Sequence, residues 1–463
     1  MKQEARDKAR GRDMTQGSPL RLLLLFSVPV LLGNVFQQLY NMVDTIIVGR
    51  YLGYQALAAV GTTGSLNFLV LGFVNGLTSG FAVPVAQRFG AGDEAEMRKA
   101  EAGAVVLGTV FTVVLTLLSI VTVGPLLRLI HTPDDIMGDA VTYITIIYAG
   151  IAATMAYNML ACFLRAIGDS RTPLCFLILS SLFNIVLDLL LIRTAGMGVA
   201  GAALATVISQ AVSALLCLVY IWKRYRILHL SGNDFKLPGK LYKRHLAISL
   251  PMAFQFSVTA IGTVVVQGAL NLFGTAKIAA FTAASKVEHL VTQPAVTFGI
   301  AMANYSGQNF GARKMERIKE GVGKCTLLTL LCAAASMLIL FLFGAPLTKL
   351  FLTAEEMEAA VLEEILEAAR LYLWQMALFF PFLNMIFVYR NVLQGIGRSF
   401  MPFMAGVFEL LTRLAASYLL PGIFGYRGIC LAGPLAWVSA AVPLGIAYYY
   451  LRKRNFFLPV AGK

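Results

Sequence analysis

The chain has 463 residues, of which 58% are hydrophobic and only 13% are charged, and its mean hydropathy is +0.74. A soluble domain cannot cover that much apolar surface, so the composition indicates a membrane protein. The formal net charge is +14, but the Lys and Arg residues fall in short segments between apolar runs. This distribution argues against a nucleic-acid partner and indicates loops that flank a lipid bilayer.

Twelve apolar runs follow one another along the chain, each of roughly 20 residues and long enough to cross a bilayer as a helix. We therefore predict an all-α membrane protein with twelve transmembrane helices. The first run continues from Arg21 to Gly49, too long for the core of a signal peptide, so it should be retained as a helix. The predicted spans are 20–48, 56–84, 102–127, 138–162, 172–192, 198–222, 245–270, 277–303, 323–347, 368–389, 401–420 and 428–451.

The loops on the side of the N-terminus carry most of the cations. Cytoplasmic loops are enriched in Lys and Arg, so both termini are predicted to be cytoplasmic and the protein to lie in the cytoplasmic (inner) membrane of the cell. The cations assigned to the cytoplasmic face are Lys2, Arg6, Lys8, Arg10, Arg12, Lys223, Arg224, Arg226, Lys243, Arg244, Arg313, Lys314, Arg317, Lys319, Arg452, Lys453 and Arg454.

The two halves of the chain repeat one another. Gln87–Ala91 returns as Gln308–Ala312 at an offset of 221 residues, and Leu164–Ser170 returns as Leu393–Ser399 at an offset of 229. An even number of spans in each copy keeps both in one orientation, so a pseudo-twofold axis along the membrane normal should relate two six-helix lobes. We predict an N-terminal lobe at 1–222, a cytoplasmic linker at 223–244 and a C-terminal lobe at 245–463.

Two acids, Asp44 and Asp188, lie inside predicted spans of the first half. An ionisable group in hydrocarbon is costly, so such acids indicate an ion or proton site. Each should lie about 8 to 9 Å inside the outer end of its helix, which is compatible with one shared site. Asn184 and Tyr40 each precede one of these acids by a helical turn, and Thr206 in the next span could add a hydroxyl.

Carboxylate, amide and hydroxyl oxygens are ligands that suit a hard cation such as Na⁺. Burial in hydrocarbon also favours the protonated form of an aspartate, which suits a proton carrier. The sequence leaves both ions open.

The second half differs at the matching positions. Val265 or Val266 takes the place of Asp44, Arg413 that of Asn184, and Ser417 that of Asp188. Glu409 lies four residues before Arg413, a spacing that favours a neutralising ion pair. We therefore expect carboxylate charge in one lobe and cancelled charge in the other.

These features together resemble the multidrug and toxic compound extrusion (MATE) family over essentially the whole chain. They are the spans in two lobes, Val43-Asp44-Thr45, Val48-Gly49-Arg50, Leu52-Gly53, Gln308-Asn309-Phe310-Gly311, Leu164-Arg165-Ala166-Ile167-Gly168-Asp169 and Asn184-Ile185-Val186-Leu187-Asp188.

The resemblance implies a secondary active transporter that exports organic, usually cationic, compounds in exchange for H⁺ or Na⁺ by alternating access, without a cofactor. It implies neither an enzyme nor a nucleic-acid partner, and a monomer is expected. By resemblance, the cation-coupling residues are Asp44, Asn184, Asp188 and Thr206, the residues near the site or the substrate are Tyr40, Gln37 and Asn158, and the hinge is Pro29.

Simpler interpretations exist for several of these residues. Asn184 and Thr206 can hydrogen-bond across helices without binding an ion, and Pro29 can be a static kink. The six cysteines lie in or beside apolar runs without metal-ligand spacing, so we expect reduced thiols.

Two other functions fit part of the pattern. A flippase for lipid-linked saccharides shares the superfamily architecture, but it is expected to have a cationic cavity, whereas the placed charges of the first lobe are acidic. An intramembrane aspartyl protease also needs two membrane aspartates, and Ala166-Ile167-Gly168-Asp169 approximates its Gly-x-Gly-Asp motif, but Asp169 falls in a predicted loop. No nucleotide-binding loop motif occurs, so direct ATP drive is not expected.

Overall fold

A computed structural model describes residues 12–352 and 358–454, and all of its regular elements in these ranges are helices. Lys2, Arg6, Lys8 and Arg10 of the predicted cytoplasmic face lie outside the described residues. The helices of the first half are α1 (Pro19–Leu52), α2 (Tyr54–Gly90), α3 (Glu94–Leu129), α4 (Asp134–Ala149), α5 (Ile151–Ala166), α6 (Arg171–Asp188) and α7 (Gly198–Arg224). Those of the second half are α8 (Gly239–Leu270), α9 (Thr275–Gly311), α10 (Met315–Lys349), α11 (Ala359–Gly395), α12 (Phe400–Leu419), the short α13 (Pro421–Phe424) and α14 (Tyr426–Lys453).

The prediction of an all-α membrane protein is confirmed. Ten spans in the described residues are long and apolar enough to cross a membrane, and there are eleven if α4 and α5 form one broken span. The remaining predicted span, 277–303, lies within α9, which has 37 residues and is less apolar than its neighbours because it carries Lys277, Lys286 and Glu288.

The fourth predicted span, 138–162, is two helices rather than one. The axes of α4 and α5 differ by 47°, and the break lies at Gly150. A Cβ atom at this position would overlap the side chain of Val207 on α7. Sharp helix kinks commonly occur at glycine, and here the glycine also lets α7 pack closely against the bend.

The chain forms two compact units. The first contains the described residues up to Gln16, together with Val28–Ser257 and Gly307–Ala312, and the second contains Gly17–Ser27, Val258–Ser306 and the described residues from Arg313 onward. In the first unit, α2 packs on α3, α4 and α5, and α7 packs on α4, α5 and α6. In the second unit, α11 packs on α10 and α14, and α14 also packs on α12.

The repeated Gln-x-Phe-Gly segments contact each other within the first unit. A Cβ atom at Gly90 would overlap the backbone carbonyl of Gln308, and one at Gly311 would overlap that of Gln87. Each glycine therefore lies against the glutamine of the other copy. Only a residue without a side chain allows backbones to approach this closely.

Gln308 also fixes the segment that precedes α1. Its Oε1 accepts a hydrogen bond from Met14 N–H and its Nε2 donates to Ala166 O, both at 2.8 Å. Asn309 Nδ2 donates to Met14 O at 3.1 Å. Met14 and Gln308 are both 0% exposed, so these bonds satisfy polar groups that burial would otherwise leave unpaired.

The predicted linker contains two short 3₁₀ turns, Arg226–Leu228 and Gly232–Phe235, that pack against α3. Ser231 N–H and Oγ donate to Asp234 Oδ2 at 2.8 and 2.9 Å, and Arg98 Nε lies 3.7 Å from the same oxygen. The hydrogen bond from the Ser231 backbone is the main cause that lowers the pKa of Asp234. These contacts hold the linker against α3.

Candidate functional site

The predicted site residues of the sixth span lie where α6 changes its hydrogen-bonding pattern. Asp188 is the last α-helical residue, and Leu189–Thr194 continue as a π-helix. π-Helical segments are rare and occur frequently at functional sites. Asn184 lies one turn earlier on the same face, and Asn184 and Asp188 are 1% and 0% exposed. Both polar side chains therefore point into the first unit rather than into lipid.

The carboxyl group of Asp44 on α1 lies beside that of Asp188, close enough for the two to form a hydrogen bond when one of them is protonated. Among the described residues, no N–H or O–H group donates a hydrogen bond to the carboxyl oxygens of Asp188 or to Oδ1 of Asp44 when both acids are ionised, and both amide atoms of the buried Asn184 also lack a partner. A buried polar group left unpaired costs about 1–3 kcal/mol, and a charged group costs more. Such atoms need a proton or a cation to satisfy them.

Two further predicted residues lie at this place. Tyr40 Oη on α1 and Thr206 Oγ1 on α7 are 3.5 Å apart, at the limit of a hydrogen bond. Thr206 Oγ1 also donates to Ala202 O at 3.2 Å. The phenol of Tyr40 is close enough to Asp44 and Asp188 to interact with their charges. The first unit thus brings α1, α6 and α7 together around the two acids.

Through Tyr143, α4 is a fourth helix that contributes to the site. This residue was not predicted from the sequence. It is 7% exposed, and its phenol interacts electrostatically with Asp44, Tyr40 and Asp188. The repeat contained a signal for it, because Tyr372 follows at the offset of 229 residues seen for Leu164–Ser170.

The arrangement can bind a small cation. Two carboxyl groups side by side in an apolar surrounding cannot both stay charged without a counterion, so they would share a proton or flank a metal ion. The unpaired oxygens of Asp44, Asp188 and Asn184 also fit the oxygen ligands that a hard ion such as Na⁺ requires.

The other predicted residues lie apart from this group or make different contacts. Asn158 Nδ2 on α5 donates to Asn75 Oδ1 on α2 at 2.8 Å. Gln37, about one turn before Tyr40, is half-buried and makes no hydrogen bond with the residues that the structure describes. Pro29 lies inside the continuous helix α1, one residue after Val28, where the chain enters the first unit.

Asp169 has a structural role that excludes the protease interpretation. Its Oδ1 accepts from the N–H groups of Arg171 and Thr172, each at 3.0 Å. Its Oδ2 accepts from Thr172 Oγ1 at 2.6 Å and Tyr225 Oη at 2.7 Å. The carboxylate thus caps the start of α6, and its hydrogen bonds hold it there.

The ion pair expected in the second half, between Glu409 and Arg413, is present, but a second arginine joins it and leaves the group with a net positive charge. Arg413 Nη2 donates to Glu409 Oε1 at 2.8 Å, which confirms the predicted contact. Arg390 Nη2 on α11 donates to the other oxygen, Glu409 Oε2, at 3.3 Å. Two guanidinium groups therefore share one carboxylate, and the expectation of cancelled charge was wrong because it considered α12 alone.

A second acid in this unit lies on α9. Glu288 Oε2 accepts a hydrogen bond from Tyr372 Oη on α11 at 2.5 Å. Tyr372 is 2% exposed. An intramembrane acid close to a buried tyrosine thus occurs in both units.

Comparisons with known proteins agree with this architecture. The family model described as MatE matches residues 29–190 and 247–419. The chain is 28% identical over 445 residues to the probable multidrug resistance protein YpnP of Bacillus subtilis (strain 168), covering 95% of this chain and 97% of the relative. It is 23% identical to an FAD transporter of Shewanella oneidensis, covering 94% of each chain.

The fold is similar to that of a solved structure described as the outward-facing conformation of a multidrug resistance MATE family transporter of the MOP superfamily. The TM-score is 0.87 at 23% sequence identity, and the alignment covers 96% of this chain and 98% of the other.

Proposed function

This chain belongs to the MatE family of multidrug and toxic compound extrusion transporters, and we propose that it exports organic compounds, organic cations among them, in exchange for H⁺ or Na⁺. Like the other members of this family, it is a transporter and not an enzyme. The single observation that carries the coupling proposal is the Asp44 and Asp188 pair, with Asn184 beside it, whose buried polar atoms lack partners among the described residues.

The carboxyl pair would exchange one cation during each transport cycle. A proton or Na⁺ that enters from the outside neutralises the pair and favours one conformation, while substrate favours the other. Only such a difference in affinity can shift the equilibrium between two states. Tyr40, Thr206 and Tyr143 would hold the acids in position, and the π-helical segment after Asp188 would set the direction of its side chain.

Pro29 supports the proposal of a hinge in α1. The chain passes between the two compact units at Ser27 and Val28, next to this proline. Proline removes one backbone hydrogen bond from a helix, so bending there is less costly than elsewhere.

We also propose that the protein works as a monomer in the cytoplasmic membrane with both termini inside. The excess of cations on one set of loops supports the orientation.

The test is substrate efflux from proteoliposomes under an imposed Na⁺ or H⁺ gradient, with a panel of fluorescent organic cations. We expect one of the two gradients to drive efflux by the wild-type protein. Asp44→Asn and Asp188→Asn should each reduce gradient-driven efflux at least ~10-fold, and the double variant should lose little more, because residues that act as a unit are non-additive.

Asp139→Asn is the matched control, because it removes an exposed acid from α4 of the same unit. It should transport as the wild type does. Gradient-driven efflux at the wild-type rate in folded Asp44→Asn and Asp188→Asn proteins would contradict the proposed site.

A further inference from the structure

The charged cluster of the second unit consists of Arg390, Glu409 and Arg413. Their side chains are 12%, 12% and 11% exposed, and they lie on α11 and α12, both of which are long and apolar enough to cross a membrane. The two arginines share the single carboxylate, so the cluster carries one positive charge in excess. Intramembrane ionisable groups are rare and commonly mark a functional site.

The cluster faces the interior of its unit. The buried residues of α12 include Pro402, Gly406 and Ala416, which share a helical face with Glu409 and Arg413 through steps of three or four residues. The lipid-facing side of the same helix carries exposed residues such as Leu411 and Leu414. The excess charge therefore does not lie at the lipid surface.

Arg413 has N–H donors available for another ligand. A guanidinium group has five N–H donors in a planar fork, and with the described residues Arg413 makes one hydrogen bond, to Glu409. Gly262 on α8 lies against it, since a Cβ atom there would be 2.9 Å from Arg413 Nη1. The glycine makes room for the guanidinium, so α8 and α12 are shaped around it.

A purely structural role would need only one arginine. A single Glu–Arg pair is already neutral, and a second buried arginine adds the cost of removing another charge from water. That cost is offset when an anion binds between the guanidinium groups, because bonds between arginine and an anionic oxygen are short and strong. The repeat also indicates opposite charge preferences in the two units, since Arg413 occupies the position that matches Asn184 of the cation site.

We propose that this cluster binds the anionic group, a carboxylate or a phosphate, of transported organic compounds. The substrate class then includes zwitterions and organic anions in addition to organic cations. The inference rests on the proposed export function, but it concerns binding, which can be measured without an ion gradient and hence separately from coupling.

The experiment measures equilibrium binding of two fluorescent probes to purified protein in detergent. Rhodamine 110 carries a carboxylate, and rhodamine 123 is its methyl ester, so the pair differs in the anionic group alone. We expect tighter binding of the acid than of the ester. Benzoate, phenyl phosphate and benzylamine serve as competitors, and the stronger of the two anions identifies the preferred group.

Arg413→Gln and Arg390→Gln each remove the excess charge while leaving one complete Glu–Arg pair. Each should lower the ratio of acid to ester affinity by about 10-fold, as expected for the loss of a charge-assisted hydrogen bond, and Arg413→Lys should lower it less. Arg370→Gln is the control, because it removes an exposed arginine from the same helix α11 about 30 Å away.

The proposal is overturned if the wild-type protein binds the acid no better than the ester, or if the ratio stays unchanged in folded Gln variants. If neither Gln variant folds, competition is measured with the wild-type protein. The proposal is then overturned if neither benzoate nor phenyl phosphate displaces the bound acid. If such a result is found while the protein still exports organic cations normally under a gradient, it contradicts this inference but not the proposed function.

Discussion

Tyr143 and Tyr372 occupy matching positions in the two repeats, 229 residues apart, and each is buried within electrostatic range of a carboxyl group. Tyr143 interacts with Asp44, whereas Tyr372 donates to Glu288. The same scaffold position thus holds a phenol near an acid in both units, although the acid comes from a different helix in each. We infer that each phenol holds its acid in place.

Tyr143→Phe should weaken the apparent affinity for the coupling cation by about fivefold, because it removes one hydroxyl worth about 1 kcal/mol from the group around Asp44. The measurement is the gradient dependence of efflux in proteoliposomes. Tyr148→Phe is the matched control, since Tyr148 lies on the same helix and its buried hydroxyl has no partner among the described residues. An equal effect of both substitutions would contradict the assignment of Tyr143.

Single residues differed in how well the sequence revealed them. Asp44, Asn184 and Asp188 stood out because a carboxyl or amide side chain inside an apolar run is costly and therefore rare. Tyr143 did not, because tyrosine is common in membrane helices and carries no charge. Arg390 falls one residue beyond the predicted span 368–389, so it resembled an ordinary flanking cation, whereas the structure extends α11 to Gly395 and places it inside.

At the scale of helices, the repeat produces a close reciprocal backbone contact between the Gln-x-Phe-Gly ends of α2 and α9. Each glycine lies against the carbonyl of the other glutamine, and Gln308 in turn holds the segment before α1. The segment is therefore fixed by contacts between helix ends that are far apart in sequence, and it depends on two positions without side chains.

Gly90→Ala and Gly311→Ala should each destabilise the protein by about 3 kcal/mol, because the new methyl group meets a backbone carbonyl that cannot rotate away. Thermal unfolding in detergent measures the loss. Gly61→Ala on α2 is the control, since a Cβ there meets nothing within 4 Å, and it should be neutral or slightly stabilising. Unfolding midpoints of all three variants close to the wild type would show that the contact tolerates a side chain.

The positions of helices were predictable and their irregularities were not. Apolar runs locate the spans because the bilayer requires them, but α3 begins at Glu94, before the predicted limit of 102. Its polar first turns are helical because Asp93 Oδ1 accepts from Glu96 N–H at 3.1 Å. The bend at Gly150 and the π-helix after Asp188 depend on packing against α7, which hydropathy does not record.

On the scale of the whole molecule, the excess of cations on one set of loops is the main evidence for orientation. Lys223, Arg224 and Arg226 lie at the start of the linker, and Arg452, Lys453 and Arg454 lie at the end of the described residues. Positive charge is retained on the cytoplasmic side of membrane proteins. We therefore expect the linker and the end of α14 on the same, inner side.

A cysteine at position 233 should be accessible only from the cytoplasm. Asn233 is exposed in the linker, so Asn233→Cys should react with a membrane-impermeant maleimide after permeabilisation and not in intact cells. The exposed native Cys175 must first be replaced by serine. Labelling of residue 233 in intact cells would contradict the predicted orientation.

The central claim is that Asp44 and Asp188 together bind the coupling cation, and cation binding to purified protein tests it most directly. The measurement combines equilibrium binding of radioactive Na⁺ with proton release on substrate addition in weakly buffered solution, for the wild type, Asp44→Asn, Asp188→Asn and the Asp139→Asn control. We expect either Na⁺ binding or proton release in the wild type and in the Asp139→Asn control. The same signal should be lost in both Asp44→Asn and Asp188→Asn. An undiminished signal in folded Asp44→Asn and Asp188→Asn proteins would contradict the claim.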